Sequence, residues 1–232
     1  MDAGKIDTKK ARAAGKADAR RALAVLAAFK RLYPDPRHYL KFESPFQLLV
    51  ATILSAQCTD EKVNEVTSGL FKEYPRPEDL AGEAVEAIER AVRPTGFYRN
   101  KAKAIKGASA AIVERFGGSV PDTMDELLTL PGIARKSANA ILQHGFGKVE
   151  GVVVDTHVIR VAGRLGWTAN TDPGKIEQDL MRLFERNEWL RLPFYLKSHG
   201  RAVCKAPVPK CGDCAVAALC PSALIGPPKA PR

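Results

Sequence analysis

Only one run of β-branched residues occurs in the chain, Val152-Val153-Val154, and it is too short and too isolated to build a sheet. Apolar residues instead recur at helical spacing. Leu23, Val25, Leu26 and Phe29 cover one face before Pro34 and Pro36 end the pattern. The chain is therefore expected to be all-α, built from about ten short helices, with no internal repeat.

Ser44-Pro45 combines an N-cap with a proline at the first helical position, and the apolar run from there to Ala56 predicts a central core helix. Further helices are expected at about 59–73, 83–93 and 99–116, the last closed by Gly117-Gly118 as a C-cap, with Asp60 capping the first of them. Thr123-Met124-Asp125-Glu126 is a capping box opening a short helix up to Leu130. Others should span about 134–145, 156–165 and 172–187. Residues 1–20 carry Lys5, Lys9, Lys10, Arg12 and Lys16 among alanines and glycines, and read as a flexible basic arm.

The chain has 36 Lys and Arg against 26 Asp and Glu, a net charge of +10, which favours a polyanionic partner, nucleic acid ahead of an anionic membrane surface. No membrane span is expected: the apolar stretch Phe46–Leu54 covers about half of the ~20 residues needed. Met1–Asp7 holds no apolar core of the kind a secretory signal requires, so the protein is expected to remain inside the cell. In that compartment its five cysteines are thiols or metal ligands rather than disulfides.

The string Leu130-Pro131-Gly132-Ile133-Ala134-Arg135-Lys136-Ser137-Ala138 sets a tight Pro-Gly turn between two helices. The first N–H groups of the second helix have no partner within it and point outward at its positive end, a place for a phosphate oxygen gripped without reading sequence. Cys204, Cys211, Cys214 and Cys220 form a C-x6-C-x2-C-x5-C pattern, four soft ligands able to surround one zinc or a cubane [4Fe-4S] cluster. A single C-x2-C, rather than two knuckles, tilts the spacing modestly toward iron and sulfur. Lys205 and Lys210, on either side of Pro207 and Pro209, with Arg201 just before them, make a basic loop beside these cysteines.

Together these motifs resemble the endonuclease III family of helix-hairpin-helix DNA glycosylases. The likeness runs from about residue 21 to 221 and includes Leu54-Ser55-Ala56-Gln57-Cys58-Thr59-Asp60, Gly96-Phe97-Tyr98, Val154-Asp155-Thr156-His157 and the four-cysteine tail. Ala134 departs from the glycine usual at that hairpin position, and alanine resists positive φ. Cys58 stands where a small non-thiol residue is usual, and reads as a buried, inert cysteine.

The resemblance implies a bifunctional glycosylase and β-lyase acting, as a monomer, on oxidised pyrimidines or abasic sites in duplex DNA. Lys136 is its nucleophile, since only an amine can hold the sugar as an imine. An ordinary lysine, with a pKa near 10.4, is neutral in only about 0.04% of molecules at pH 7, so the chemistry asks its site to favour the free amine. Asp155 is implied to stabilise positive charge on the sugar and to move protons, although it could equally N-cap the helix at Thr156. Gln57 would fill the gap left by an extruded nucleotide, with Phe97 as an apolar wedge, against the alternatives of a polar helix cap and a core ring. Gly132, Ala134, Arg135, His157, Arg201, Lys205 and Lys210 would contact the backbone, and the cysteines would hold [4Fe-4S].

The expected architecture is two helical lobes: a barrel of about residues 40–150 carrying the hairpin, and an iron–sulfur lobe joining residues 21–39 to 151–221, with a tail at 222–232. DNA is expected in a cleft between them, in a bacterial cytoplasm at the nucleoid. The rival readings are an adenine-mismatch glycosylase and a non-catalytic DNA-binding helical protein with structural zinc.

Overall fold

The computed structural model describes residues 8–35 and 40–224, with side chains from residue 18 onward. Residues 1–7 of the expected arm and 225–232 of the expected tail lie outside them. Among the described residues every regular element is helical and none is a strand. Cα packing divides the chain into two units, His38–Val153 and a second built from Met1–Arg37 with Val154–Arg232.

Unit His38–Val153 is organised around α2 (Pro45–Leu54). Ser44 Oγ accepts from the Gln47 amide at 3.2 Å and Pro45 opens the first turn. Eight of the ten α2 residues are buried, so the helix is apolar on all sides, as a central element must be. Around it pack α3 (Asp60–Glu73), α6 (Tyr98–Phe116) and α8 (Arg135–Gly145). Their inward residues Val63, Leu70, Ile105, Ile112, Ile141 and Leu142 share one core with Leu48, Leu49 and Leu54. Thr59, not Asp60, caps α3, its hydroxyl accepting from the Lys62 amide. Gly117 closes α6 in the left-handed conformation the Gly-Gly pair suggests.

Two helices carry weaker sequence signals. In this unit α4 (Pro77–Gly82) precedes α5 (Val85–Val92) and packs on α6. Pro77 at its first position and the Asp79 carboxylate accepting from the Arg76 amide are its start signal. In the other unit α11 (Leu192–Ala202) has Pro193 in its first turn.

The second unit packs α1 (Thr8–Leu32) and α9 (Thr156–Arg164) against α11. Helix α1 begins well before the apolar periodicity at Arg21, because alanine, lysine and arginine are strong helix formers even without a face to bury. Phe29 is fully buried, stacked 4.6 Å from the His199 ring and 6.4 Å from Trp167, which meets Phe184 at 4.8 Å. Helix α10 (Pro173–Leu183), N-capped by Asp172, contributes Ile176 and Leu180. Val152 and Val154 are buried in the segment that passes from one unit to the other.

Candidate functional site

In unit His38–Val153 the hairpin forms as the turn chemistry requires. Helix α7 (Met124–Leu127) is capped by Thr123, and Leu130 and Ile133 anchor the turn in the core. Gly132 has φ +80°, and a Cβ there would lie 2.8 Å from the Ala104 Cβ of α6. Gly107 lets Pro131 sit close as well, since a Cβ at 107 would meet the Pro131 Cγ at 3.2 Å. The turn therefore rests directly on α6: Gly132 is a steric necessity, while a side chain at Gly107 would ask Pro131 to give way by a few tenths of an ångström.

Ala134 is the N-cap of α8 in extended backbone, φ −106°, so the strain expected for alanine at a positive-φ position does not arise. Its methyl group makes no side-chain cap hydrogen bond, leaving the first-turn amides of an eleven-residue helix without a cap from that residue. Arg135 and Lys136 are the first two helical residues, and both are exposed.

Two non-glycine residues have left-handed backbone among the described residues: Gln57 at φ 51° and Phe97 at φ 49°. Both are exposed, Phe97 to 65%, which removes the reading of Phe97 as a core ring. Each follows a tight end, Gln57 after α2 and Phe97 after the 3-10 turn Arg93–Thr95 and Gly96. Holding a bulky L-residue there costs about 1–2 kcal/mol, and such strain collects at functional positions. Beneath this second turn Lys101 is buried, with its Nζ donating to the Thr95 carbonyl at 2.8 Å, and burial holds its ammonium below the ordinary lysine value. Cys58 packs half-buried against the core.

In the second unit Asp155 caps α9. Its Oδ1 accepts from the amides of His157 and Val158, both at 2.8 Å, and the residue is half-buried. The His157 Nδ1 lies 3.1 Å from the Arg160 guanidinium. Burial holds the His157 imidazole below its usual range; the Asp155 charge opposes this, while Arg160, Arg201 and Lys197 reinforce it. Gly200 makes room for the ring, since a Cβ there would meet His157 Nδ1 at 2.9 Å. His157 thus packs tightly within a cationic face of α9 and α11.

All four tail cysteines are free thiols lining one pocket, together with His199, Arg164 and Lys210. Burial raises the Cys214 thiol, and mutual repulsion with Cys220, Cys204 and Cys211 raises it further, against a backbone hydrogen bond at Val216 that lowers it. As thiolates the set would need a positive centre. Lys205 and Lys210 are exposed at the two ends of the first cysteine loop, whose Lys210 amide donates back to the Val203 carbonyl at 3.0 Å. Arg201 is exposed in the last turn of α11.

The arginines that fix this loop carry no motif of their own. Arg160 Nε donates to the Cys204 carbonyl at 3.1 Å, and Arg164 donates to the carbonyls of Lys205 at 2.8 Å and Pro207 at 3.0 Å. Their spacing of four residues on α9 is the signal that places both on one face. The sequence-predicted residues fall into two sets: Gln57, Phe97, Gly132, Ala134, Arg135 and Lys136 in one unit, and Asp155, His157, Arg201, Lys205, Lys210 and the four cysteines in the other.

Residues 50–186 match the model of the HhH-GPD superfamily base excision DNA repair proteins. Endonuclease III of Synechocystis sp. is 54% identical over 203 residues, 88% of this chain and 93% of that protein. Endonuclease III of Bacillus subtilis is 43% identical over 190 residues, covering 82% and 86%. A solved non-covalent endonuclease III–DNA complex superposes with a TM-score of 0.84 at 37% identity, covering 88% of this chain and 96% of that one. A trapped endonuclease III–DNA covalent intermediate gives the same values.

Proposed function

Since the chain belongs to the HhH-GPD superfamily of base excision DNA repair proteins, we propose that it is a bifunctional DNA glycosylase and AP lyase that removes oxidised pyrimidines from duplex DNA. The observation that carries this reading is an exposed primary amine, Lys136, in the first turn of α8, directly behind the Pro131-Gly132 hairpin turn. The start of α8, which takes no cap from Ala134, binds a DNA phosphate through backbone amides, and the amine that follows is the nucleophile. The two functions thus need each other: the phosphate seats the strand where the amine can reach it.

In this mechanism the target nucleotide leaves the stack, and Gln57 and Phe97 occupy the gap. The exposure and left-handed backbone of both residues support that role. The Lys136 Nζ lone pair forms a bond to C1′ while the glycosidic bond breaks and the base departs with its electron pair, taking up a proton. The sugar ring opens to a Schiff base, and loss of a C2′ proton expels the 3′ phosphate, nicking the strand. Asp155 stabilises the positive charge that develops on the sugar and passes protons. One of its oxygens caps α9, a duty compatible with the second. Gly132, Ala134 and Arg135 form the phosphate seat, and Arg201, Lys205, Lys210 and the cationic surroundings of His157 add basic contacts.

Cys204, Cys211, Cys214 and Cys220 would hold a [4Fe-4S] cluster, which supplies a structural pin for the basic loop rather than a step of the reaction. Four thiols lining one pocket are the donor set such a group would take. The enzyme acts as a monomer on DNA at the nucleoid of a bacterial cytoplasm. A lysine in the hairpin favours this reading over an adenine-mismatch glycosylase.

Borohydride reduction during incubation with abasic or oxidised-pyrimidine duplex is expected to trap a covalent protein–DNA adduct, and Lys136→Ala is expected to lose it. Efficient trapping by the alanine variant refutes the assignment of the nucleophile.

A further inference from the structure

Two of the four sulfurs have a side-chain nitrogen within hydrogen-bonding distance. Arg164 lies 3.4 Å from the Cys204 Sγ, and the His199 Nε2 lies 3.6 Å from the Cys214 Sγ. The arginine carries its protons at every pH, so its donation needs no arrangement. An imidazole is different, because which nitrogen bears the proton is set by what the other nitrogen meets.

His199 is only 2% exposed, its ring stacked on Phe29 with 4.6 Å between centroids and 35° between planes. Its Nδ1 is 3.1 Å from the phenol oxygen of Tyr33, at the end of α1. A sulfur that ligates iron has no proton and can only accept. The ring proton must then sit on Nε2, which leaves Nδ1 as the acceptor for the Tyr33 O–H. Each atom of the chain Tyr33 Oη, Nδ1, Nε2 and Cys214 Sγ has one role that satisfies all the others.

We propose that Tyr33 and His199 form a hydrogen-bond relay that fixes an N–H donor on the Cys214 thiolate and so raises the reduction potential of the bound cluster. The inference rests on the reading of the four cysteines as [4Fe-4S] ligands. Adding an electron increases the negative charge borne by the sulfurs, so an N–H···S bond stabilises the reduced form more than the oxidised form. His199 is the tuning group. Tyr33 never touches the cluster and is a positioning residue, acting by holding the tautomer. The relay also accounts for a buried imidazole and a half-buried phenol at a place where two apolar rings would pack as well.

The test is a mediated spectroelectrochemical titration of the iron-loaded protein, with Tyr33→Phe, His199→Gln and His199→Phe. Tyr33→Phe removes one oxygen and is expected to keep full iron content while its midpoint moves to more negative potential. His199→Phe is expected to move it further in the same direction, and His199→Gln, which retains an N–H, to restore part of the shift. Tyr33→Phe holding full iron with the wild-type midpoint overturns the relay, and it does so even if His199→Phe fails to fold. A wild-type protein that is colourless and free of iron overturns the cluster reading instead, an outcome separate from an iron-loaded protein with an unmoved potential.

Discussion

Asp155 is assigned two duties, and one pair of substitutions separates them. The Oδ1 atom accepts from two consecutive amides at 2.8 Å, so Asp155→Ala strips α9 of its cap. Such losses run from about 0.5 to 2 kcal/mol. The charge-assisted character of both bonds and the half-buried position put this one near the upper end, about 2 kcal/mol. For a chain of this size that corresponds to a fall in melting temperature of roughly 4–8 °C. Asparagine caps as well as aspartate, so Asp155→Asn is expected to melt within about 2 °C of wild type. It nevertheless lacks the charge that the mechanism places opposite the developing oxocarbenium ion, and single-turnover base excision is expected to fall by about 10²–10³-fold, the usual effect of removing one such stabilising group. Circular-dichroism melts and rapid-quench excision on one oligonucleotide supply both numbers. An asparagine variant that excises at the wild-type rate while the alanine variant is merely less stable reduces Asp155 to a helix cap.

The exposed left-handed pair makes a complementary prediction. Phe97→Ala and Gln57→Gly are expected to melt within about 1 kcal/mol of wild type, because Phe97 buries little and glycine relieves the strain at Gln57, yet both are expected to reduce nucleotide extrusion, read as a smaller rise in 2-aminopurine fluorescence beside the lesion. Undiminished fluorescence and excision in both would remove them from the mechanism. A pH effect is expected at Asp179, whose carboxylate accepts from Thr168 at 2.5 Å and from Asn170 and Arg182, contacts that hold it below the usual carboxylate range. Because its folded value is the lower one, its contribution is present above about pH 4 and is lost as pH falls through the folded value. Urea midpoints across that acid range should therefore fall less steeply for Asp179→Asn, and parallel curves contradict the linkage.

Helix starts with an oxygen cap or a leading proline were legible from residues alone, as at Ser44-Pro45, Thr123 and Asp172-Pro173. Arg76-Pro77 has a comparable signal, but α4 is six residues long and too short to show periodicity. Helix α11 hides because its buried side includes Tyr195, His199 and Gly200, which do not read as an apolar stripe. The hairpin and the cysteine pattern were visible because turn chemistry and ligand spacing are local. The strain at Gln57 and Phe97 was not, since backbone left-handedness in a non-glycine residue is imposed by tertiary packing. The straps from Arg160 and Arg164, and the approach of Tyr33 to His199 across 166 positions, depend on contacts distant in sequence. The departure from glycine at position 134 carries no conformational cost, because the backbone there is extended and alanine adopts it freely; that φ is not legible from the residue alone.

Helix α9 is only nine residues long, with Asp155 at its head and, on its far turns, the two arginines that hold the first cysteine loop. At about 1.5 Å per residue it is a rod of roughly 14 Å, too short to flex within itself. Whatever stiffens or slackens the tail of the chain is therefore transmitted as a rigid tilt to the acid at the other end. The cysteine loop, far along the sequence from Asp155, is in this way tied by two arginines to the helix that Asp155 caps.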